Sequence, residues 1–282
     1  MKKKILIIFA IASVSCSKNE NNEILNQKTS LKSVKQVYPD PGGSFSYEFD
    51  GTKSTESIRS IQNLSKFVFE KFEYQNDLMS KYTTYDGLGD VTFSYEFKYD
   101  SNDKLKSVIY KSNSFEYEQF LTYQNNSIIT EIPDQTFSNI THKITYSFND
   151  ANLIENIKQV KLPDNKIEME LNFLYDQNEN CVKIDSKNII GNAVYDYEYT
   201  NKINPLRPHY AKYYIPHIII RGKLNVIGNN VPDIVSNFGE NLLLRNTNYR
   251  YEHKYNDNNY PVSSNVFEKS SGTKAFSLKF NY

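Results

Sequence analysis

The 282-residue chain has no tryptophan, two cysteines, three methionines and only ten glycines. It also has no excess of either charge, with 33 basic side chains against 33 acidic ones. Each shortage excludes something. Two cysteines cannot build the disulfide framework of a small secreted scaffold. A balanced charge offers no basic face, which argues against nucleic acid as a partner. No phosphate-cradling glycine loop is present. No long stretch carries a 3.6-residue period, so long amphipathic helices are not expected. What the chain has in quantity is aromatic rings, 23 tyrosines and 17 phenylalanines.

The N-terminus reads MKKKILIIFAIASVSC. Three lysines precede an apolar run, Ile5 to Val14, that is too short to span a bilayer. Residues 1–15 are therefore expected to be a secretory signal rather than part of the fold. Ser13-Val14-Ser15-Cys16 resembles the lipobox of bacterial lipoproteins, although Ser13 stands where leucine is usual. The resemblance implies cleavage before Cys16, acylation of its thiol and attachment to a membrane by lipid. An ordinary cleaved secretory peptide is the alternative. Ser17-Lys18-Asn19-Glu20 resembles the Lys-then-acid signal that directs Bacteroidota lipoproteins to the outside of the outer membrane. Removing residues 1–15 takes away three lysines and no acids, leaving 30 bases against 33 acids and a charge near −3. Residues 16–42 are rich in Asn, Lys, Ser and Glu and read as an anchor followed by a disordered tether. As a flexible coil of about 25 residues it would span roughly 25–30 Å.

Residues 43–282 read as one repeat domain. Aromatic-x-aromatic pairs, with Leu121 and His253 in place of the first ring in two units, end at Phe49, Tyr74, Tyr99, Tyr123, Phe148, Tyr175, Tyr199, Tyr255 and Tyr282, in steps of 25, 25, 24, 25, 27, 24, 56 and 27. A fixed period of this size marks a repeat architecture. Each unit alternates strictly. In FSYEFKYD, Phe93, Tyr95, Phe97 and Tyr99 share one face, while Ser94, Glu96, Lys98 and Asp100 share the other. This is the pattern of strands with one buried and one wet face. YDSNDK, FNDANL, YDQNEN and YNDNNY follow the pairs, and Asx side chains can turn a chain without glycine. The expected fold is all-β, an antiparallel up-and-down meander of about 16 to 20 strands, given hairpins of ~25 residues. It would form a large curled sheet or a porin-like barrel.

The motif Y-x-Y-D-x-N-x-N/K-L-x-x-I resembles the YD repeats of Rhs-type surface proteins. The closer resemblance is to a Bacteroidota lipoprotein domain of unknown function with a porin-like fold. It is carried by Phe97-Lys98-Tyr99-Asp100, Phe173-Leu174-Tyr175-Asp176, Tyr197-Glu198-Tyr199 with Asn204-Pro205, and Tyr255 with Asn258-Asn259-Tyr260-Pro261. It covers most of residues 45–282 and implies no activity.

Residues 203–248 break the repeat. Pro205, Pro208, Pro216 and Pro232 argue against regular central strands, while Ile218 to Ile220 and Leu242 to Leu244 need burial. The segment is expected to pack on the concave apolar face, with one irregular hairpin plus a surface loop as the alternative. Neither metal nor cofactor is expected. His142 and His253 fall on inward faces, and His209 and His217 have no Cys, Asp or Glu at ligand spacing nearby. Cys181 stands six residues after Tyr175, as Leu105 stands after Tyr99, and so fills an apolar slot rather than serving as a nucleophile. DQNENCVKID has Cys181 where a calcium loop needs glycine and Lys187 where it needs glutamate. The leading expectation is a non-enzymatic, lipid-anchored binding or structural module at the cell surface, with a glycan or peptide ligand. The alternatives are an outer-membrane pore, suggested by the terminal FSLKFNY, and a hydrolase of envelope polymers.

Overall fold

The computed structural model describes residues 30–39, 42–61, 66–133, 141–189, 191–221 and 239–282. Cys16, the signal at 1–15, most of the tether at 16–42 and residues 222–238 of the insert lie outside the described residues. Leu31 to Tyr282 form a single unit, and its architecture is an all-β meander.

The strands are β1 Ser33–Val37, β2 Ser44–Asp50, β3 Lys53–Ser60, β4 Phe67–Gln75, β5 Leu78–Tyr85, β6 Val91–Tyr99, β7 Leu105–Ser112, β8 Glu116–Gln124 and β9 Ser127–Pro133. They continue with β10 Thr141–Phe148, β11 Ile154–Leu162, β12 Lys166–Tyr175, β13 Cys181–Asn188, β14 Gly191–Asp196 and β15 Glu198–Ile203. After two helices, α1 Arg207–Ala211 and α2 Tyr214–Arg221, come β16 Asn241–Arg245, β17 Tyr249–Tyr255, β18 Pro261–Glu268 and β19 Lys274–Asn281. Consecutive strands pair antiparallel except β14 and β15, and β1 pairs with both β2 and β19, so the sheet returns on itself as a nearly closed barrel.

Nineteen alternating strands would leave the first and last parallel, yet β1 and β19 are antiparallel. The reason is the single residue Tyr197 between β14 and β15. The two form one kinked run in one direction, the first half bonded to β13 and the second to β16. The wall therefore has eighteen alternating directions, and an even number closes. Its weakest seam lies between β16 and β17, which share the one register pair Arg245 with Arg250. There His253 takes over: its Nε2 donates to the Leu243 carbonyl at 2.7 Å, which leaves Nδ1 to accept from Ser264 Oγ at 2.7 Å.

The tether reading is corrected at its C-terminal end. Ser33–Val37 is a wall strand, with Leu31 and Val34 buried against Phe280. Five residues with two valines give too short a pattern to announce a strand, and the partner that decides it lies some 250 positions away.

The turns follow the composition. The Oδ1 atoms of Asp86, Asp100, Asn149, Asp176 and Asn256 each accept two backbone N–H groups, two and four residues ahead. Three residues after each stands a left-handed residue, respectively Gly89, Asp103, Asn152, Glu179 and Asn259. Only one of the five is glycine, because the Asx side chain supplies the bonds that fix the turn.

The period itself has a bonding role. In most units the repeat aromatic stands at or next to the end of its strand, just after a shift of register, for example at Glu73/Tyr74, Lys98/Tyr99 and Leu174/Tyr175. Its hydroxyl then reaches back to the carbonyl opposite the previous unit's aromatic. Tyr74 donates to Ser54 O at 2.8 Å, Tyr99 to Met79 O at 2.9 Å, Tyr123 to Leu105 O at 2.8 Å and Tyr175 to Ile154 O at 2.7 Å. Tyr199 does the same to Cys181 O at 2.8 Å and Tyr282 to Pro261 O at 3.0 Å. Each unit is thereby tied to the one before it. Burial pushes the phenols of Tyr74, Tyr99, Tyr175 and Tyr199 above the ordinary range, so they stay protonated donors.

Candidate functional site

The inward face divides into a filled end and a more open one. Two residues before the repeat aromatic stand Phe72, Phe97, Leu121, Tyr146, Phe173 and Phe280, all buried. They lie toward the Asx-turn end, where the helices sit. Six residues before it stand Phe93, Tyr117, His142, Tyr249 and Phe276, all partly buried, while Met169 in the same slot is buried. The inner wall thus grades from a packed floor to a cup lined with rings. Tyr95 and Tyr110 have centroids 5.3 Å apart, and Tyr110 and Tyr117 are 5.2 Å apart. Such offset and tilted pairs suit aromatic quadrupoles.

The floor is the insert. Pro208 occupies the first turn of α1 and Pro216 that of α2, where a missing N–H costs nothing. Ile218, Ile219 and Ile220 are buried in the main core. His209 stacks on Phe49 with centroids 4.0 Å apart, His217 meets Phe72 at 5.8 Å, and the Tyr214 hydroxyl accepts from Ile154 N at 3.2 Å. β2 and β4 lie far around the ring from β11, so the helices touch walls well apart. The expectation that the insert packs on the concave face holds for its helices. It is corrected for Leu242 to Leu244, which belong to wall strand β16, with Leu244 37% exposed. At the rim, ion pairs fasten the floor. Asp77 takes Lys53 at 3.1 Å and also Lys212, and Arg207 takes Glu179 at 2.7 Å and Glu240 at 2.6 Å. Gly239 passes so close to Asn180 that a Cβ there would lie 2.5 Å from its Oδ1.

Two polar constellations interrupt the rings. Glu70, 2% exposed, accepts from Ser57 Oγ at 2.7 Å and from Tyr82 Oη at 2.6 Å. Glu168 accepts from His142 Nδ1 at 2.9 Å and from Gln159 Nε2 at 3.1 Å. Neither carboxylate stands out in the sequence by motif. Glu70 could have been noticed because FVFEKFEY places it on the face of Phe72 and Tyr74, where Tyr95 and Ile144 stand in other units.

The remaining sequence candidates fall into structural places. Cys181 is fully buried in its apolar slot, and burial pushes its thiol up to about 12. His209 is buried, and burial lowers its pKa to about 4. His253 is likewise lowered by burial. In DQNENCVKID the Asp176 carboxylate is spent on its own turn and on Asn180 Nδ2 at 2.9 Å. Among the described residues no group of three His, Cys, Asp or Glu side chains is placed to hold a metal.

No known protein family matches the chain. No curated protein matches it either. Among solved structures the chain is similar to a porin-like protein from Bacteroides uniformis, at 11% identity and a TM-score of 0.46 over 90% of this chain and 98% of that one. It is also similar to a porin-like protein from Bacteroides vulgatus, at 11% identity and a TM-score of 0.41 over the same shares of the two chains.

Proposed function

We propose that this barrel is a non-enzymatic binding module of the cell envelope, tethered to the outer membrane through an acylated Cys16 and displayed on the cell surface, with its walls in water. The observation that carries the reading is the polarity of the wall. The outer face is laced with ion pairs, in mid-strand Lys71 with Glu73 at 3.1 Å and Lys183 with Asp185 at 3.0 Å, and reaching toward the strand ends Lys98 with Glu118 at 3.1 Å and Lys111 with Glu96 at 3.7 Å. A spanning barrel carries an apolar band there, and each lysine at mid-membrane would cost about 2–4 kcal/mol. The rings that would suit lipid point inward instead. An inward aromatic surface over a helical floor suits a ligand with flat apolar faces and hydroxyl or amide edges, a glycan or a peptide.

The test is fractionation of cells producing a Cys16→Ala protein behind a cleavable secretory signal. Folded protein in the soluble fraction is the expected result. Membrane association that resists carbonate extraction would sink the reading and put a pore in its place.

A further inference from the structure

Two buried polar atoms on the inner wall, Thr130 Oγ1 and Gln159 Oε1, have no hydrogen-bond partner among the described residues, on side chains whose residues are 2% and 6% exposed. They share one height in the barrel, because Thr130 lies opposite Ile144 and Ile144 lies opposite Gln159. Two strand spacings, about 10 Å, separate their backbones. The Gln159 amide cannot flip to relieve itself. Its Nε2 donates to Glu168, and a carboxylate takes only donors. Glu168 itself reaches the inner face through a bulge: Gln159 faces Met169 and Val160 faces Ile167, leaving Glu168 as the extra residue. Without that bulge it would point outward beside Glu170. The result is a carboxylate fixed against His142 on the inner face and bonded to the same Gln159 whose Oε1 is unsatisfied.

Buried orphan groups are rare, and a native one calls for a reason. Here two of them, a bulge and an oriented Glu–His pair converge on four adjacent strands, β9 to β12. We infer that this cluster is a subsite for a neutral polyhydroxylated ligand, one sugar residue of a glycan. The inference rests on the cup reading above and deepens it. The chemistry selects the class. Gln159 Oε1 and Glu168 can only accept, and Thr130 can do both, so the ligand must bring several closely spaced donors that can also accept. A sugar ring does this. A phosphate or carboxylate ligand would face the Glu168 charge. An extended peptide spreads its N–H groups along a strand rather than clustering them. The partly buried faces of Phe93 and Tyr117 lie at the same end of the lumen for stacking.

The test uses the full chain carrying Cys16→Ala, titrated calorimetrically with tetrasaccharides of glucose, mannose and N-acetylglucosamine in α and β linkage. At least one should bind. Thr130→Val and Gln159→Leu should each weaken that binding tenfold or more, and Thr130→Val should raise Tm by a few degrees, since it removes an unsatisfied group and breaks no hydrogen bond. Opposite signs in affinity and stability are the signature of a site, and a purely structural residue would not give them. The inference is overturned if no sugar binds, if both variants bind as tightly as the parent, or if Thr130→Val lowers Tm. A soluble protein that binds none of these sugars would leave the cup standing and remove the subsite. A membrane-embedded protein would remove the cup itself.

Discussion

Replacing Tyr99 by phenylalanine removes one oxygen and nothing else from the repeat. The hydroxyl gives up a 2.9 Å bond to Met79 O. A net protein hydrogen bond is worth about 0.5–1.5 kcal/mol, and a carbonyl left without its donor in a buried place raises the loss toward 1–3 kcal/mol. A cost of about 1–2 kcal/mol is therefore expected, or a fall in Tm of roughly 2–8 °C for a chain of this size. Tyr175→Phe, whose bond to Ile154 O measures 2.7 Å, should cost the same. The two sites share no partner, so the double variant should be additive within about 0.5 kcal/mol. The repeat also supplies its own reverse experiment. Phe148 fills the same slot without a hydroxyl, and the carbonyl its unit would address is that of Ile128, which lies opposite Tyr123. Phe148→Tyr should be neutral or stabilising. Urea denaturation followed by circular dichroism reads all four proteins, with the slope checked for constancy before midpoints are compared. If Tyr99→Phe lies within 0.3 kcal/mol of the parent, or Phe148→Tyr destabilises by more than the ladder bond is worth, then the hydroxyls do not tie the units together.

Three further outcomes follow from the floor and the core. His209 binds its proton less readily folded, near pH 4, than unfolded, near 6.5, so the unfolded chain holds more protons between those values. Its contribution to stability is complete above pH 6.5 and is lost as pH falls toward 4, by about 3 kcal/mol in all; His209→Phe, which keeps a ring on Phe49, should flatten that part of a stability–pH curve. Cys181 should ignore a thiol reagent at neutral pH and react in one step when the barrel is unfolded in denaturant; labelling of the native protein at the rate of a free thiol would contradict its burial. Asp77→Asn removes the carboxylate shared by Lys53 and Lys212, and should speed proteolysis within residues 203–248 at low salt but not in 1 M salt, where such surface pairs are screened.

Much of this was legible because the repeat carries several signals in phase. The aromatic pair, the alternation and the Asx turn recur together, so Tyr99, Asp100 and Leu105 predict where Tyr175, Asp176 and Cys181 stand. Burial of Ile218 to Ile220 followed from three consecutive apolar residues among prolines. What escaped depends on partners far away or on single-residue slips. β1 is a strand because β19 and β2 flank it, not because SVKQV demands it. Glu168 reads as an outward residue in the alternation Ile167, Met169, Leu171, and only a bulge, which leaves no mark in a period of two, brings it inside. The seam held by His253 was likewise invisible, since the histidine sits in register with Tyr251 and Tyr255 and differs only in what it reaches.

The register of β1 also sets the rim at which the chain enters the wall. Ser33 lies opposite Asn281 and Glu48, beside Phe49 and Tyr282, so the chain enters the wall at the rim that carries the helical floor. Entry at that rim keeps the leading end of the first strand away from the ring-lined end of the lumen.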